Sequence, residues 1–308
     1  MCSIAGILLK RNLSAELGMT TGEALTEMMD ACKHRGPDSA GWAVYRTPEP
    51  GCLRLRFFVA LEGDARESDI TRIREGLELQ GAKIVEDEAV GCSYGVLARF
   101  TGDVQKFSYA MERAGRLVSV GESLDLIKDV GSPRMLQERY GLRSFNGRHG
   151  IGHTRLATET GVHPETAHPF WATGFADVAT VHNGQITNYW IMRRRLERKG
   201  MEFRTENDTE LIAVYLAYKM SRGAALEDAL ATSLEDLDGT FSYLVATKNA
   251  IGYAKDKLAA KPMVKYEDDD LIAIASEEVA LNRLFPGRAL DTTEPPPLTY
   301  GLWSRDAI

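Results

Sequence analysis

An apolar, partly β-branched stretch from Ser3 to Leu9 starts almost at the beginning of the chain and constrains the fold more than any other feature. A short run of this kind, without polar alternation, is typical of a buried strand. Such a strand holds the N-terminus in place, together with Cys2 just before it. Cys2 is then either a small buried residue, the usual role of an intracellular cysteine, or a nucleophile that becomes residue one when Met1 is removed.

Length and charge exclude several classes of protein. The 308 residues are enough for a large core in one or two domains, and 44% apolar with 26% charged residues is typical of a soluble globular protein. A net charge of −7 argues against nucleic acids and anionic membrane surfaces as partners. No apolar run is long enough for a membrane-spanning helix, and the N-terminus lacks the charge order of a secretory signal.

The four cysteines favour a cytoplasmic protein. They lie far apart, at positions 2, 32, 52 and 92, with no cysteine–histidine spacing typical of zinc. We therefore expect reduced thiols, no metal, and a structural role for three of the four.

The pattern of apolar residues divides the first half of the chain into three parts. Residues 1–46 predict strand, helix, loop and strand. Residues 53–121 predict the order β-α-β-β-α-β, with a helix over 68–81 capped by Ser68, which is typical of a ferredoxin-like module. Residues 122–149 suggest a helix and an irregular return.

From residue 150 onward the pattern predicts mixed strands and helices. One strand is expected over 150–158, and another over 177–189 that runs into a glycine turn. The remaining predicted elements are helices near 188–199, 207–220 and 224–236, a hairpin around 248–249, a strand over 271–276, a short helix to 284 and a last strand.

Four polar clusters stand where predicted strands end or helices begin, which is where sites are usually built. Each has an ordinary structural interpretation. His34–Asp38 is a charged Gly-Pro turn, and Arg155 after His153 and Thr154 suits an ion pair. Asn183-Gly184 suits a hairpin turn, and Glu206–Glu210 suits a helix cap.

Taken together, the clusters predict one reaction. An arginine such as Arg155 can hold a carboxylate through two parallel hydrogen bonds. An asparagine amide and a neighbouring backbone N–H, as at Asn183 and Gly184, can stabilise an oxyanion. With Cys2 as nucleophile and Asp208 as partner for an amino group, these residues would hydrolyse the side-chain amide of an α-amino acid.

The order and spacing of these motifs resemble the class II glutamine amidotransferases, which are N-terminal nucleophile hydrolases. The resemblance covers about 1–46 and 150–285. The matching residues are Cys2 with Ile4-Ala5-Gly6, His34-Arg35-Gly36-Pro37-Asp38-Ser39, Gly152-His153-Thr154-Arg155, His168-Pro169-Phe170, His182-Asn183-Gly184, Asp208-Thr209-Glu210, and the weaker Lys255-Asp256-Lys257, Lys261-Pro262 and Ala275-Ser276-Glu277. It implies an α+β fold, a four-layer α-β-β-α sandwich over 1–308 that the ferredoxin-like module at 53–121 interrupts.

The resemblance also implies a role for each site residue. Cys2 attacks the amide of L-glutamine, and its own α-amino group acts as base once Met1 is gone. Asn183 and Gly184 hold the oxyanion. Arg155 binds the α-carboxylate and Asp208 the α-ammonium. Thr158 and His182 are expected as further neighbours of the substrate. The products are glutamate and ammonia.

The remaining implications concern partners and departures from the family. Only about 20 residues follow the last motif, so we expect a separate synthase subunit, of the glutamate synthase or N-methylglutamate synthase type. Flavin is expected in that partner and no cofactor in this chain. Ser3, where relatives usually have glycine, and the missing synthase domain leave open a catalytically silent regulatory subunit. A hydrolase of another amide is a further alternative, against which Arg155 and Asp208 argue. The module at 53–121 is either a packing element or a docking surface for the synthase.

Overall fold

The computed structural model describes residues 2–10, 18–156 and 161–304. Thr158, one of the predicted neighbours of the substrate, lies outside these ranges. Within them, no helix has the length and apolar character needed to cross a membrane.

Strands form the interior layers of the fold. The strands of the described residues are β1 (Ser3–Leu9), β2 (Ser39–Tyr45), β3 (Cys52–Phe58), β4 (Lys83–Val90), β5 (Ser93–Arg99), β6 (Arg116–Gly121), β7 (Leu124–Val130), β8 (His149–Arg155), β9 (Phe170–Trp171), β10 (Ala179–Ile186), β11 (Gly239–Ala246), β12 (Ala250–Lys255), β13 (Val264–Glu267), β14 (Leu271–Ala275) and β15 (Thr299–Ser304). They form three antiparallel sheets, with the orders β13-β14-β1-β8-β2-β7, β15-β12-β11-β10-β9 and β4-β5-β3-β6.

Helices cover the outer faces of these sheets. The α-helices of the same residues are α1 (Thr21–Ala31), α2 (Gly63–Leu79), α3 (Val104–Ala114), α4 (Pro133–Arg139), α5 (Tyr189–Glu197), α6 (Asp208–Ser221), α7 (Leu226–Asp236) and α8 (Glu278–Asn282). Short 3-10 turns occur at Lys33–Arg35, Leu142–Ser144 and Pro164–Thr166.

The six-stranded and five-stranded sheets pack face to face, and β1 shows why its sequence is apolar throughout. Ile4 and Leu8 point between the two sheets, into a core that includes Leu244 of β11. Ile7 points the other way, toward Leu25 of α1. Because successive strand residues face opposite sides, a strand covered on both sides needs no polar alternation.

The outer layers complete the predicted sandwich. Helices α1 and α8 pack on the free face of the six-stranded sheet. Helices α5, α6 and α7 contribute to the cluster on the free face of the five-stranded sheet. The order helices, sheet, sheet, helices confirms the predicted α+β fold of four α-β-β-α layers.

The third sheet confirms the β-α-β-β-α-β order predicted for the ferredoxin-like module. Its strands run from Cys52 to Gly121, and α2 and α3 pack together on one face. The predicted start of the first helix was wrong, since α2 begins at Gly63 with Glu62 at its N-cap, and Ser68 lies inside the helix. The division of the chain into domains stays a prediction.

Two further predictions were wrong. Residues 122–149 include strand β7, which pairs with β2 along seven residues before α4 begins. Buried charged residues such as Asp125 and Lys128 interrupt its apolar pattern and conceal the strand in the sequence. The second concerns Asn183-Gly184, which do not form a turn. Both lie within β10, where they pair with Ser242 and Phe241 of β11.

Candidate active site

The first residues of the chain are held by hydrogen bonds from three separate segments. The Cys2 carbonyl accepts from Asn183 Nδ2 at 3.1 Å and from Arg35 Nε at 3.2 Å. The Ile4 N–H donates to Ser276 Oγ at 3.0 Å, and the Ser276 N–H donates to the Ile4 carbonyl at 3.0 Å. These contacts fix the position of Cys2 at the end of β1.

The charged turn at 33–38 braces this end of β1. Arg35 Nη1 pairs with Glu277 Oε1 at 2.5 Å, while its Nε reaches the Cys2 carbonyl. His34 Nε2 lies 3.2 Å from the other oxygen of Glu277. Because the guanidinium is planar, its two hydrogen bonds to different acceptors fix its orientation. Glu277 therefore orients Arg35, and Arg35 in turn holds the Cys2 carbonyl.

The side chain of Ser3 points away from the candidate site. The Ser3 hydroxyl lowers the pKa of the Cys32 thiol at the end of α1, against the larger effect of burial. Because strand residues alternate between faces, Cys2 shares the face of Ile4, toward the second sheet. Ser3 therefore does not crowd Cys2.

Cys2 also differs from the other cysteines in exposure. It is half-buried, whereas Cys32, Cys52 and Cys92 are buried, and all four thiols are free. Burial raises the pKa of Cys32, and it raises that of Cys92 to about 11. A thiolate is the reactive form of cysteine, so Cys32 and Cys92 are poor nucleophiles.

Strand β10 carries Asn183 and Gly184 to the side of Cys2. An asparagine amide has two N–H donors, and one of them is directed at the Cys2 carbonyl. Gly184 has a φ of 135°, which side chains rarely tolerate, and a Cβ there would overlap the Thr240 carbonyl oxygen and stand 2.8 Å from the Phe241 Cα. Only glycine fits this backbone.

Arg155 lies at the end of β8, the strand next to β1. Ser3 pairs with Thr154, so the same antiparallel register places Cys2 beside Arg155. Arg155 is largely buried, and its Nη1 donates to Thr166 Oγ1 at 3.1 Å. The guanidinium is thus held in place beside the cysteine rather than free in solvent.

Asp208 opens α6 and presents a carboxylate that is 24% exposed. Its Oδ2 accepts from the Ile186 N–H at 3.0 Å, and its Oδ1 is 3.4 Å from His182 Nδ1. Burial alone would raise the pKa of Asp208, but His182 and the N–H groups of Ile186 and Thr209 outweigh it and lower that pKa. Asp208 is therefore ionised and can receive a cation.

Three buried histidines lie behind this carboxylate. His153 stacks on His168 with ring centroids 4.1 Å apart, and its Nε2 lies 3.1 Å from the His182 carbonyl. Thr209 Oγ1 contacts His182 Nδ1 at 3.3 Å and His168 Nδ1 at 3.4 Å. Burial lowers the pKa of His153 to about 3, and that of His168 well below its usual value, so both rings are neutral.

The structure brings most of the predicted residues together. Asn183 contacts Cys2, Gly184 follows it, Arg155 lies on the next strand, and His182 contacts Asp208. Thr158 falls outside the described residues. The predicted site omitted the supports of these groups: Arg35, Ser276, Glu277, Thr166, His168 and Lys128. Arg35, His168, Ser276 and Glu277 belong to matched motifs, which was a usable signal, whereas nothing in the sequence pointed to Lys128.

Comparisons with known proteins agree with this geometry. A family model described as a glutamine amidotransferase domain matches residues 153–283. A "Putative glutamine amidotransferase" of Methanothermobacter thermautotrophicus is 39% identical over 96% of this chain and 95% of its own. The glutamine amidotransferase-like protein GlxB of Rhizobium meliloti is 36% identical over 98% of each chain.

Two solved structures share the fold. The allosteric regulatory enzyme of purine biosynthesis matches 99% of this chain with a TM-score of 0.63 and 19% identity. Glutamine phosphoribosylpyrophosphate amidotransferase from B. subtilis matches 99% with a TM-score of 0.60 and 18% identity. The chain covers 47% and 49% of these two proteins, about half their length. From its sequence relatives and its fold, the chain belongs to the class II glutamine amidotransferases, a family of enzymes.

Proposed function

We propose that this chain hydrolyses L-glutamine to L-glutamate and ammonia through a thioester on Cys2, and passes the ammonia to a separate synthase subunit of the glutamate synthase type. The observation that carries the proposal is the 3.1 Å hydrogen bond from Asn183 Nδ2 to the Cys2 carbonyl. It brings an amide donor to a half-exposed cysteine at the end of a buried strand.

The first half of the reaction forms the thioester. The thiol proton of Cys2 passes to its free α-amino group, and the sulfur bonds to the amide carbon of glutamine. Asn183 has a second amide N–H, which together with the Gly184 N–H stabilises the oxyanion. The carbon–nitrogen bond then breaks, and the nitrogen leaves as ammonia with the proton. Water adds to the thioester, releases glutamate and returns a proton to the sulfur.

Two charged groups select a free α-amino acid. Arg155 binds the α-carboxylate by a charge-assisted hydrogen bond, and Asp208 binds the α-ammonium. His182 lies behind Asp208 and holds its carboxylate. Thr158 is proposed as a further neighbour of the substrate.

The second element of the proposal is the partner subunit that consumes the ammonia. The two sequence relatives match this chain along nearly their whole length, whereas the chain covers about half of each solved structure. This supports an ammonia-consuming partner on another chain, which would carry the flavin, while this chain holds no cofactor. A cytoplasmic location belongs to the same proposal, since reduced thiols are typical there.

Glutamate release from glutamine by the purified chain tests the chemistry, with Cys2→Ala as the variant. Cys52→Ala is the matched control, because Cys52 is a buried thiol of the third sheet. We expect Cys2→Ala to abolish release and Cys52→Ala to preserve it. Equal activity of the wild type and Cys2→Ala would refute the thioester mechanism. Faster hydrolysis of asparagine or another amide would refute the substrate.

Intact-mass spectrometry tests the requirement for a free α-amino group on Cys2. We expect a mass without Met1. A retained Met1 together with absent turnover would favour a silent regulatory subunit. For the partner, a co-purifying subunit with a flavin absorbance spectrum is expected, and adding ammonia or methylamine to that complex would identify the nitrogen source it uses.

A further inference from the structure

A buried lysine on β7 holds the loop beside the candidate site. Lys128 is 6% exposed, and its ammonium donates to the carbonyl oxygens of Ala167 at 2.7 Å, Pro169 at 3.1 Å and Glu165 at 3.4 Å. It also lies 4.1 Å from the centre of the Phe170 ring. A lysine ammonium has three N–H donors, so these three carbonyls use its whole capacity.

The residues between those carbonyls point into the site. Thr166 accepts from Arg155 Nη1 at 3.1 Å, on the side proposed for the α-carboxylate. His168 contacts Thr209 Oγ1, which in turn contacts His182 beside Asp208, on the side proposed for the α-ammonium. The segment thus directs alternate carbonyls at Lys128 and the intervening side chains at the two halves of the site.

Residues 165–169 also lie against Gly41 of β2, which has no side chain. Gly41 pairs with Lys128, and a Cβ on Gly41 would overlap the His168 carbonyl oxygen and stand 2.6 Å from the Lys128 Cβ. Glycine therefore lets the segment pass close over the sheet, where Lys128 reaches its carbonyls. Gly41 follows the His34–Asp38 motif in sequence.

We propose that Lys128 is a positioning residue for glutamine binding, which sets both halves of the amino-acid site through the backbone of residues 165–169. It does not touch the substrate. It keeps Thr166 against Arg155 and His168 against Thr209. The inference rests on the proposed function, because it names the support of the same site.

Charged groups around Lys128 make this support sensitive to pH. Burial and the guanidinium groups of Arg204 and Arg155 together lower the pKa of Lys128 to about 7, although Glu210 and Glu165 oppose them. Below that pKa the ammonium serves all three carbonyls. Above it the neutral amine has only two N–H donors, so one carbonyl loses its partner and KM for glutamine should rise.

The test compares Lys128→Met with Lys106→Met in the full chain. Lys106 is a matched control, since it is 86% exposed on α3 and pairs with Asp103. Kinetics of glutamate release from pH 6 to 8.5 give kcat and KM, and calorimetry with L-glutamate gives a Kd that needs no turnover. We expect Lys128→Met to raise KM and Kd at least about tenfold while kcat changes less than about threefold. Wild-type KM should rise above pH 7, and that of Lys128→Met should not.

A second variant covers the case in which Lys128→Met does not fold. Thr166→Val removes the hydroxyl that accepts from Arg155 and donates to the His163 and Gly161 carbonyls, and it should raise KM by about threefold to tenfold. A folded Lys128→Met, or failing that Thr166→Val, with wild-type KM and Kd would overturn the inference and leave the glutaminase activity standing. A wild type that neither hydrolyses glutamine nor binds L-glutamate would overturn both. A drop in kcat alone would also overturn it, since positioning of the binding groups predicts a change in KM.

Discussion

Replacement of Gly184 by alanine should disable the proposed oxyanion site without removing a functional group. Gly184 has a φ of 135° within β10, and an added Cβ would overlap the Thr240 carbonyl oxygen on β11. That oxygen belongs to the backbone, so no side-chain rotation relieves the overlap. The Gly184 N–H must therefore move.

The size of the effect follows from the required movement. The added Cβ would also stand 2.8 Å from the Phe241 Cα and 2.9 Å from the Thr240 carbonyl carbon, so the overlap involves several backbone atoms. Relief requires β10 and β11 to separate by about 1 Å, and a misplacement of about 1 Å costs roughly 100-fold in rate. Loss of one oxyanion donor has a similar cost, about 100-fold to 1,000-fold in kcat. We therefore expect kcat to fall at least about 100-fold.

The assay is glutamate release with Gly223→Ala as the matched control. Gly223 has a φ of 94° and no atom within 4 Å of its added Cβ, so it carries the same backbone strain without an overlap. Both variants should lose about 1 kcal/mol of stability or more in urea denaturation. Only Gly184→Ala should lose kcat.

A folded Gly184→Ala with kcat within about threefold of the wild type would refute this reasoning. It would mean that the Gly184 N–H does not contact the oxyanion. An equal loss of kcat in Gly223→Ala would trace the effect to general destabilisation.

Three other perturbations test the binding site, a buried ion pair and the buried histidines. Asp208→Asn should raise KM for glutamine at least about tenfold with little change in kcat, because a charge-assisted hydrogen bond to the α-ammonium is lost; an unchanged KM would place the ammonium elsewhere. Arg56→Met should lower the free energy of unfolding by about 3 kcal/mol, since Asp125 loses a buried partner 2.8 Å away. Urea denaturation measures this, and a stability equal to the wild type would contradict it. Stability should also fall as pH drops from 6.5 to 5, because His153 and His168 stay neutral when folded while the unfolded chain binds more protons. The fall should be about 1.5 kcal/mol per ring in urea denaturation, and a His153→Gln variant with the same slope as wild type would exclude His153 as a source.

Much of the fold could be predicted from periodicity. The seven apolar residues of β1 are buried on both faces, as their lack of alternation indicates. The β-α-β-β-α-β order of the third sheet also follows from local patterns, since its helices have amphipathic spacing and α3 begins at an aspartate cap.

Long-range charge pairing hid one strand from such patterns. In β7, Asp125 is buried because it bonds Arg56 of the third sheet, and Lys128 is buried because it bonds three carbonyls of a distant loop. Each partner is about 40 residues or more away in sequence. A window along the chain therefore sees charged residues scattered among the apolar ones, without the regular alternation that indicates a strand.

The Asn183-Gly184 pair shows the opposite error. Its local pattern is that of a hairpin turn, yet both residues lie inside β10 because β11 continues the pairing past them. Pairing with β11 determined the backbone conformation here, and the same pairing leaves Gly184 with a positive φ.

The sequence by itself determined the chemistry available to the protein: a cysteine next to the first residue, an asparagine-glycine pair, an arginine and an aspartate in a recognisable order. The tertiary structure decided how these groups meet. Register between β1 and β8 puts Cys2 beside Arg155, and Arg35 with Asn183 fixes its carbonyl. The physical reason is that side-chain type is local, whereas distance and burial depend on pairings between residues far apart in the chain.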